Sequence, residues 1–341
     1  MWRWRKQSDR VRPGWTSCFL LAGCVALPAL AQEDASPAPG SEPFDCASLA
    51  ERDAPSSADA WFVRSRWAGH CYIFQARAVR IGVDGVRTLA LSHDISKGVE
   101  REVARFLDGP PAVHERRGGA GRLSGAKGAV RLESSARHLE EFYRLRLAGE
   151  SRIASRRAVR LEIEPLDDQR YGRRLWLDAS TALPLKQVLL DEDGRAIETF
   201  QITELQDPQL YQGKIEGESG QADQVEHSWR PGWLPAGFEP QIVAASEVSH
   251  ANVEQRVYGD GLATLSLFVE PVSGQQLLKP GVHRLGVSHA AVQHRELGGR
   301  PRQVVVMGEL PPSVLQRVAK SVEWRGERSA AASSLDSASP P

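Results

Sequence analysis

The chain has 341 residues with 41% hydrophobic and 25% charged content, ordinary values for a globular protein of one to three domains. Lys+Arg and Asp+Glu are equal at 43 each, so the formal net charge is zero and no electrostatic case exists for a nucleic-acid partner. Arginine pairs such as Arg116-Arg117, Arg156-Arg157 and Arg173-Arg174 read first as solvated strand faces; contacts with anionic lipid or sugar phosphates are the alternative.

The N-terminus reads as a targeting segment. Arg3, Arg5, Lys6, Arg10 and Arg12 precede an apolar run from Trp15 to Leu27, which is too short to span a bilayer comfortably. Ala29-Leu30-Ala31 predicts cleavage after Ala31, so residues 1–31 form a signal peptide and the mature chain is exported. Leu21-Ala22-Gly23-Cys24 also fits a lipoprotein box acylated at Cys24, but the apolar run continues through Val25-Ala26-Leu27. Of four cysteines, Cys46 and Cys71 remain in the mature chain. An even pair in an oxidising compartment predicts a disulfide; two buried free thiols are the alternative, and a metal site lacks the paired histidines it would need.

Residues 32–43 read as a flexible leader and 44–211 as a β-rich domain. Cys46 to Asp59 suggests a short helix broken by Pro55, and Trp67 to Phe74 a β-prone run. Ala76 to Leu91 alternates around Asp84-Gly85, a hairpin signal, and Glu100 to Leu107 continues the pattern. Residues 116–128 are Gly-rich and suggest a loop. Leu139, Phe142, Tyr143 and Leu147 suggest an amphipathic helix over 134–147, capped at Gly149. Val159 to Ile163 alternates strictly; residues 171–205 then read as a strand, a turn and a hairpin at Asp193-Gly194.

A polar stretch marks a linker at 212–228. A second unit spans 229–325, with strands at Leu262–Val269 and Val304–Met307 and a helix from Ser313 to Val322 on the stripe Val314, Val318, Val322. Residues 326–341 have a disordered composition. The expected fold is α+β. A curved antiparallel half-barrel with one or two helices is joined to a smaller α+β domain, and an apolar concavity can form between sheet and helix.

No recognised catalytic motif appears: G-x-S-x-G, H-E-x-x-H, P-loop and G-x-G-x-x-G are all missing from the sequence. His283, His289 and His294 have no ligand spacing. His93-Asp94 reads as a hydrogen-bonded pair at a strand end, and Glu140-Glu141 as exposed acids. The expectation is a binding protein without catalysis, metal or cofactor. The aromatic residues carry more. Core packing accounts for many of them, but Trp67, Tyr72, Phe74, Trp176 and Phe200 can also line a pocket for acyl chains. Trp233, Leu234, Phe238, Leu262 and Phe268 can anchor a partner in the second unit.

The stretch YGRRLWLDASTALPLKQVLLDEDG resembles a segment of the MucB/RseB family, and further segments match in order. These are Glu100–Pro110 (EREVARFLDGP), Arg152–Pro165 (RIASRRAVRLEIEP), Trp233–Phe238 (WLPAGF), Tyr258–Leu262 (YGDGL) and Val304–Pro312 (VVVMGELPP). The resemblance spans roughly 60–322. It implies a lipoprotein-carrier-like N-terminal domain that senses lipopolysaccharide or lipoprotein acyl chains. It also implies a C-terminal domain that binds the periplasmic part of a transmembrane anti-sigma factor. Binding would protect that factor from proteolysis and hold down the sigma-E envelope-stress response until lipid releases the regulator. The implied location is the periplasm. A lipoprotein or lipid carrier is the alternative, and the resemblance leaves a homo-oligomer open.

Overall fold

The computed structural model describes residues 44–109, 112–118, 138–215, 228–241, 253–272 and 278–325. The signal peptide with its cleavage site, Cys24, the leader, most of the Gly-rich loop and the tail at 326–341 lie outside the described residues.

The chain enters through a two-residue strand β1 (Phe44–Asp45), a single-turn helix α1 (Ser48–Glu51) and a longer helix α2 (Ala58–Cys71). An antiparallel meander follows: β2 (Tyr72–Gly82), β3 (Gly85–Ser96), β4 (Val99–Phe106) and β5 (Val113–Gly118). It continues with β6 (Tyr143–Ile153), β7 (Arg156–Pro165), β8 (Gly172–Asp178), β9 (Pro184–Leu190) and β10 (Ala196–Leu210). These nine strands form one sheet in the order β5-β4-β3-β2-β10-β9-β8-β7-β6. Edges β5 and β6 do not pair, so the sheet is open and not a closed barrel.

The remaining strands are β11 (Lys214–Ile215), β12 (Trp229–Pro231), β13 (Glu239–Gln241), β14 (Glu254–Gly259) and β15 (Thr264–Pro271). After them come β16 (Gly281–Leu285), β17 (Ser288–Leu297), β18 (Arg300–Gly308), helix α3 (Pro312–Ser321) and β19 (Val322–Trp324). A six-stranded sheet runs β13-β14-β15-β18-β17-β16, while β1 pairs with β11 and β12 with β19. Both large sheets fall within one compact unit of the chain.

Local chemistry explains these elements. At the β9–β10 turn, the Asp191 carboxylate accepts from the backbone N–H of Asp193 and of Arg195, and Gly194 supplies the positive φ of 76°. Helix α2 starts where the Ser57 hydroxyl accepts from Ala60 N–H, a fit to the N-cap rule. Helix α3 starts with Pro312 in its first turn and buries Val314, Leu315, Val318 and Ala319.

Three expectations are corrected. Trp67–Cys71 is not strand but the last part of α2; strand begins only at Tyr72. Trp61, Ser65 and Ala68 are buried at helical spacing, and packing of that face outweighs the β propensity of the aromatic run. The helix over 134–147 is not formed: one helical turn at 138–140 leads directly into β6. YRLRL satisfies the strand period as well as the helical one, and pairing of Leu145 with Ile163 and Leu147 with Leu161 decides it. Gly149 sits at a bulge of β6 rather than at a helix end. Finally, the stretch read as linker holds β11, whose Ile215 is buried opposite Phe44.

Candidate functional site

The ladder registers sort the nine-stranded sheet into two faces. Leu161 pairs with Leu175, Leu175 with Gln187, Gln187 with Phe200, and Ile202 with Ala78, so these residues share the inner face. Helix α2 covers part of that face. Trp61, Phe62 and Ala68 of α2 form one buried cluster with Leu139, Tyr143, Leu161, Ile163, Leu175 and Leu177. A second buried cluster is built largely from small side chains: Ala76, Ala78 and Ala158, with Leu185 and Ile202. Phe74, Leu91, Trp176, Phe200 and Leu205 pack around it only partly buried.

The aromatic residues singled out from sequence therefore divide. Phe74 belongs to both clusters, Tyr72 packs on the first, and Phe200 on the second. Trp176 stands in the row of Arg160 and Lys186, on the other face from Phe200, with the Lys186 ammonium 4.9 Å from its ring centre. Trp67 is apart from them: it stacks on Phe44 at 3.4 Å in a third cluster with Cys46, Leu49, Cys71, Ile95 and Ile215. That cluster contains the Cys46–Cys71 disulfide, with Cα atoms 5.4 Å apart, which ties the entry segment to the end of α2.

Beside the disulfide sits a buried polar group. Glu100 Oε1 lies 2.8 Å from His70 Nδ1 and 3.2 Å from His93 Nε2, while His93 Nδ1 donates to the Tyr72 carbonyl at 2.6 Å. Burial alone pushes Glu100 up, but the hydrogen bonds and charge of the two imidazoles win and hold it at about 2. Burial opposes charging of His93, yet Glu100 and the Tyr72 carbonyl raise its pKa overall. His93 is thus partnered by Glu100; Asp94 instead bonds the Ile95 N–H, so the expected His93-Asp94 pair is not formed.

The second cover of the inner face comes from the C-terminal part, through a latch. Arg170 and Asp260 are both fully buried, with Nη1 to Oδ2 at 2.8 Å. The same Oδ2 accepts from the Tyr143 hydroxyl at 2.9 Å, and Oδ1 accepts from Leu262 N–H and Ala263 N–H. Arg170 spends its other donors on Asp167 and on the Ala236 carbonyl, and its guanidinium lies 5.0–5.7 Å from the rings of Phe142, Tyr143 and Phe238. Burial, then the Asp260 charge, drives the Tyr143 phenol well above its ordinary pKa, so it stays a donor. Gly237 has φ of 81° and its open side meets the Phe142 ring; any side chain there would collide with it.

Two other contacts flank the latch. Arg173 bonds Glu309 at 3.0 Å, and Val287 packs with Tyr171 and Leu189.

The residues expected to anchor a partner also divide. Phe238 and Leu262 are turned inward: Phe238 lies over Arg170 and in the C-terminal core, and Leu262 packs on the N-terminal cluster. Trp233 and Leu234 pack partly buried on the C-terminal core, with the Arg317 guanidinium 3.8 Å from the Trp233 ring centre. Phe268 lies on the far face of the six-stranded sheet with Ala290, Val292 and Val305. Sequence reasoning missed Arg170, which carries no periodic or motif signal; Tyr143 was visible only as part of an apolar stripe, and Asp260 only as part of YGDGL.

Among the described residues, no group of three or more His, Cys, Asp or Glu could hold a metal, and no helix is long and apolar enough to cross a membrane.

Comparison with known proteins adds the following. Residues 57–225 match the MucB/RseB N-terminal domain and residues 223–323 the MucB/RseB C-terminal domain. The sigma factor AlgU regulatory protein MucB of Pseudomonas aeruginosa is 34% identical over 324 residues, covering 90% of this chain and 96% of that protein. The sigma-E factor regulatory protein RseB of Escherichia coli K12 is 27% identical over 206 residues, 55% of this chain and 61% of that protein. Among solved structures, the Pseudomonas aeruginosa MucA/MucB complex matches with TM-score 0.61 and 30% identity, over 79% of this chain and 99% of that one. A crystal structure of MucB matches with TM-score 0.55 and 32% identity, over 78% and 98%.

Proposed function

The chain belongs to the MucB/RseB family, and from that premise we propose that it is a regulatory binding protein, not an enzyme. It acts in the periplasm as a negative regulator of an envelope-stress sigma factor. Its partner is the periplasmic segment of a membrane-anchored anti-sigma factor, which it protects from proteolysis while bound. The observation that carries this reading is the likeness to MucB along nearly its whole length, together with the fold match to the MucA/MucB complex.

The inner face supports a lipid signal. Small residues at Ala76 and Ala78 leave the aromatic side chains Phe74 and Phe200 only partly buried, as a site for acyl chains requires. We assign acyl-chain contact to Phe74, Phe200 and Leu205, and partner contact to Trp233, Leu234 and Phe268, which are not consumed by the latch. Release by lipid requires that lipid bind the free form better than the partner-bound form, by a few kcal/mol, to invert the population.

The test is calorimetry of the exported protein against the periplasmic segment of the anti-sigma factor from the same genome, with and without a lipopolysaccharide fragment. Micromolar or tighter binding that weakens with lipid is expected. Lipid binding with no anti-sigma binding would leave a carrier. Binding of neither would overturn the assignment.

A further inference from the structure

We propose that the outer face of strands β6–β9 docks on a bilayer surface of anionic lipid headgroups. This surface is separate from the inner face and from the partner contacts assigned above.

The registers place its residues. Arg146, Glu162 and Arg174 form one row across β6, β7 and β8; Arg160, Trp176 and Lys186 form the next across β7, β8 and β9; Arg144 pairs with Glu164. Side chains in these rows stand on the face opposite Leu161 and Leu175. In these rows five cations stand with two carboxylates, and on the same face Arg156 and Asp178 balance each other, in a chain whose net charge is zero.

Both carboxylates are already held by one residue. Arg146 donates to Glu162 at 2.9 Å and to Glu164 at 2.7 Å. Arg160 and Arg174 reach Glu162 only at 3.6 and 3.8 Å, beyond hydrogen-bond distance, with their side chains 41% and 44% exposed. The Arg160 Nε is buried, but the exposed remainder of its guanidinium and that of Arg174 stay available to phosphate oxygens. By contrast, the neighbouring pair Arg77 and Glu204 on the same sheet is balanced one to one.

The shape selects the ligand. Four adjacent strands span about 15 Å at the usual strand spacing. No single phosphate can bridge Arg144 on β6 and Lys186 on β9, whereas a plane of headgroups meets all of them. Trp176, with Lys186 over its ring, adds an amphipathic ring of the kind that settles at the headgroup level. Helix α2 and the latch lie on the inner side, so docking leaves them free.

The experiment is co-sedimentation of the exported protein with phosphatidylcholine vesicles, with and without phosphatidylglycerol. Binding only to the anionic vesicles is expected, reversed at about 0.5 M salt where screening shortens to a few ångströms. The R160Q/R174Q variant should partition roughly 10- to 30-fold less, since each cation near an anionic surface contributes about fivefold. An R77Q/R101Q variant removes the same charge elsewhere on the sheet and should partition as the parent does; circular dichroism confirms that both fold. Equal binding to neutral vesicles would overturn the proposal, and so would equal losses in the two variants. Displacement by millimolar inorganic phosphate would also overturn it, because it would mark a single-anion site.

Discussion

The two sheets are closed in different ways. The six-stranded sheet is sealed by one continuous apolar cluster, in which Leu265, Leu267, Val304 and Val306 meet Leu315, Val318 and Val322. The nine-stranded sheet has its buried residues split among several smaller clusters, part of its inner face lined by alanines, and a polar latch as its second cover. An apolar seal is non-directional and tolerant; a buried ion pair is directional and fails abruptly when one partner is lost. The difference teaches that the C-terminal half stands on its own packing, while the N-terminal half depends on contacts made from outside its sheet.

The largest expected effect tests that dependence. Asp260→Ala takes the fully buried carboxylate from Arg170, leaving only the partly exposed Asp167 to balance its charge, and should cost about 3–5 kcal/mol. Calorimetry should then resolve two melting transitions, with the C-terminal one little changed. A single transition shifted as a whole would mean that the two sheets are not separable in this way.

Next comes the entry segment. Cys46→Ser opens a cross-link between residues 25 apart in sequence, and loss of such a bond is worth roughly 2–4 kcal/mol. The melting temperature should fall, and the reduced parent should match the variant.

The buried Glu100 group gives the third, in a pH profile. Glu100 is held at about 2, below its ordinary 4.5, so its stabilisation is full above 4.5 and lost as pH falls toward 2. His93 is raised above 6.5, so its contribution is full below 6.5 and lost as pH climbs through the raised value. Thermal stability should therefore peak between these limits. Glu100→Gln should flatten both flanks and cost roughly 1–3 kcal/mol at the peak. A variant that keeps the parent's profile would show that other groups set it.

The smallest effect sharpens the contrast in function. Phe200→Leu on the half-buried inner face should cost less than about 1.5 kcal/mol. It should nevertheless weaken acyl-chain binding measurably in a fluorescent-lipid displacement assay. Unchanged lipid affinity would move the acyl site elsewhere.

Much of this was legible from local pattern. Asp84-Gly85 and Asp193-Gly194 announced hairpins because turn backbones demand those residue types. Val314, Val318 and Val322 announced the last helix. Cys46 and Cys71 were the pair left after the targeting segment, and they are bonded. The segment 134–147 was ambiguous, since its apolar residues fit both periods and only cross-strand pairing selects one. Trp67 was misread because an aromatic run has β propensity until a helix face finds a core to bury it.

The sequence by itself determined the antiparallel β-rich plan, the terminal helix, the cysteine pair and the family likeness, since each rests on local spacing or on an ordered string of motifs. Only the tertiary structure decided which face each aromatic residue serves. It also turned Phe238, Asp260 and Leu262 inward to hold the two sheets together. Arg170, Tyr143 and Asp260 are separated by up to 117 residues, and no local rule brings together a charge, a hydroxyl and a carboxylate that distant in the chain. Their meeting follows from desolvation: once buried, each has to find the others.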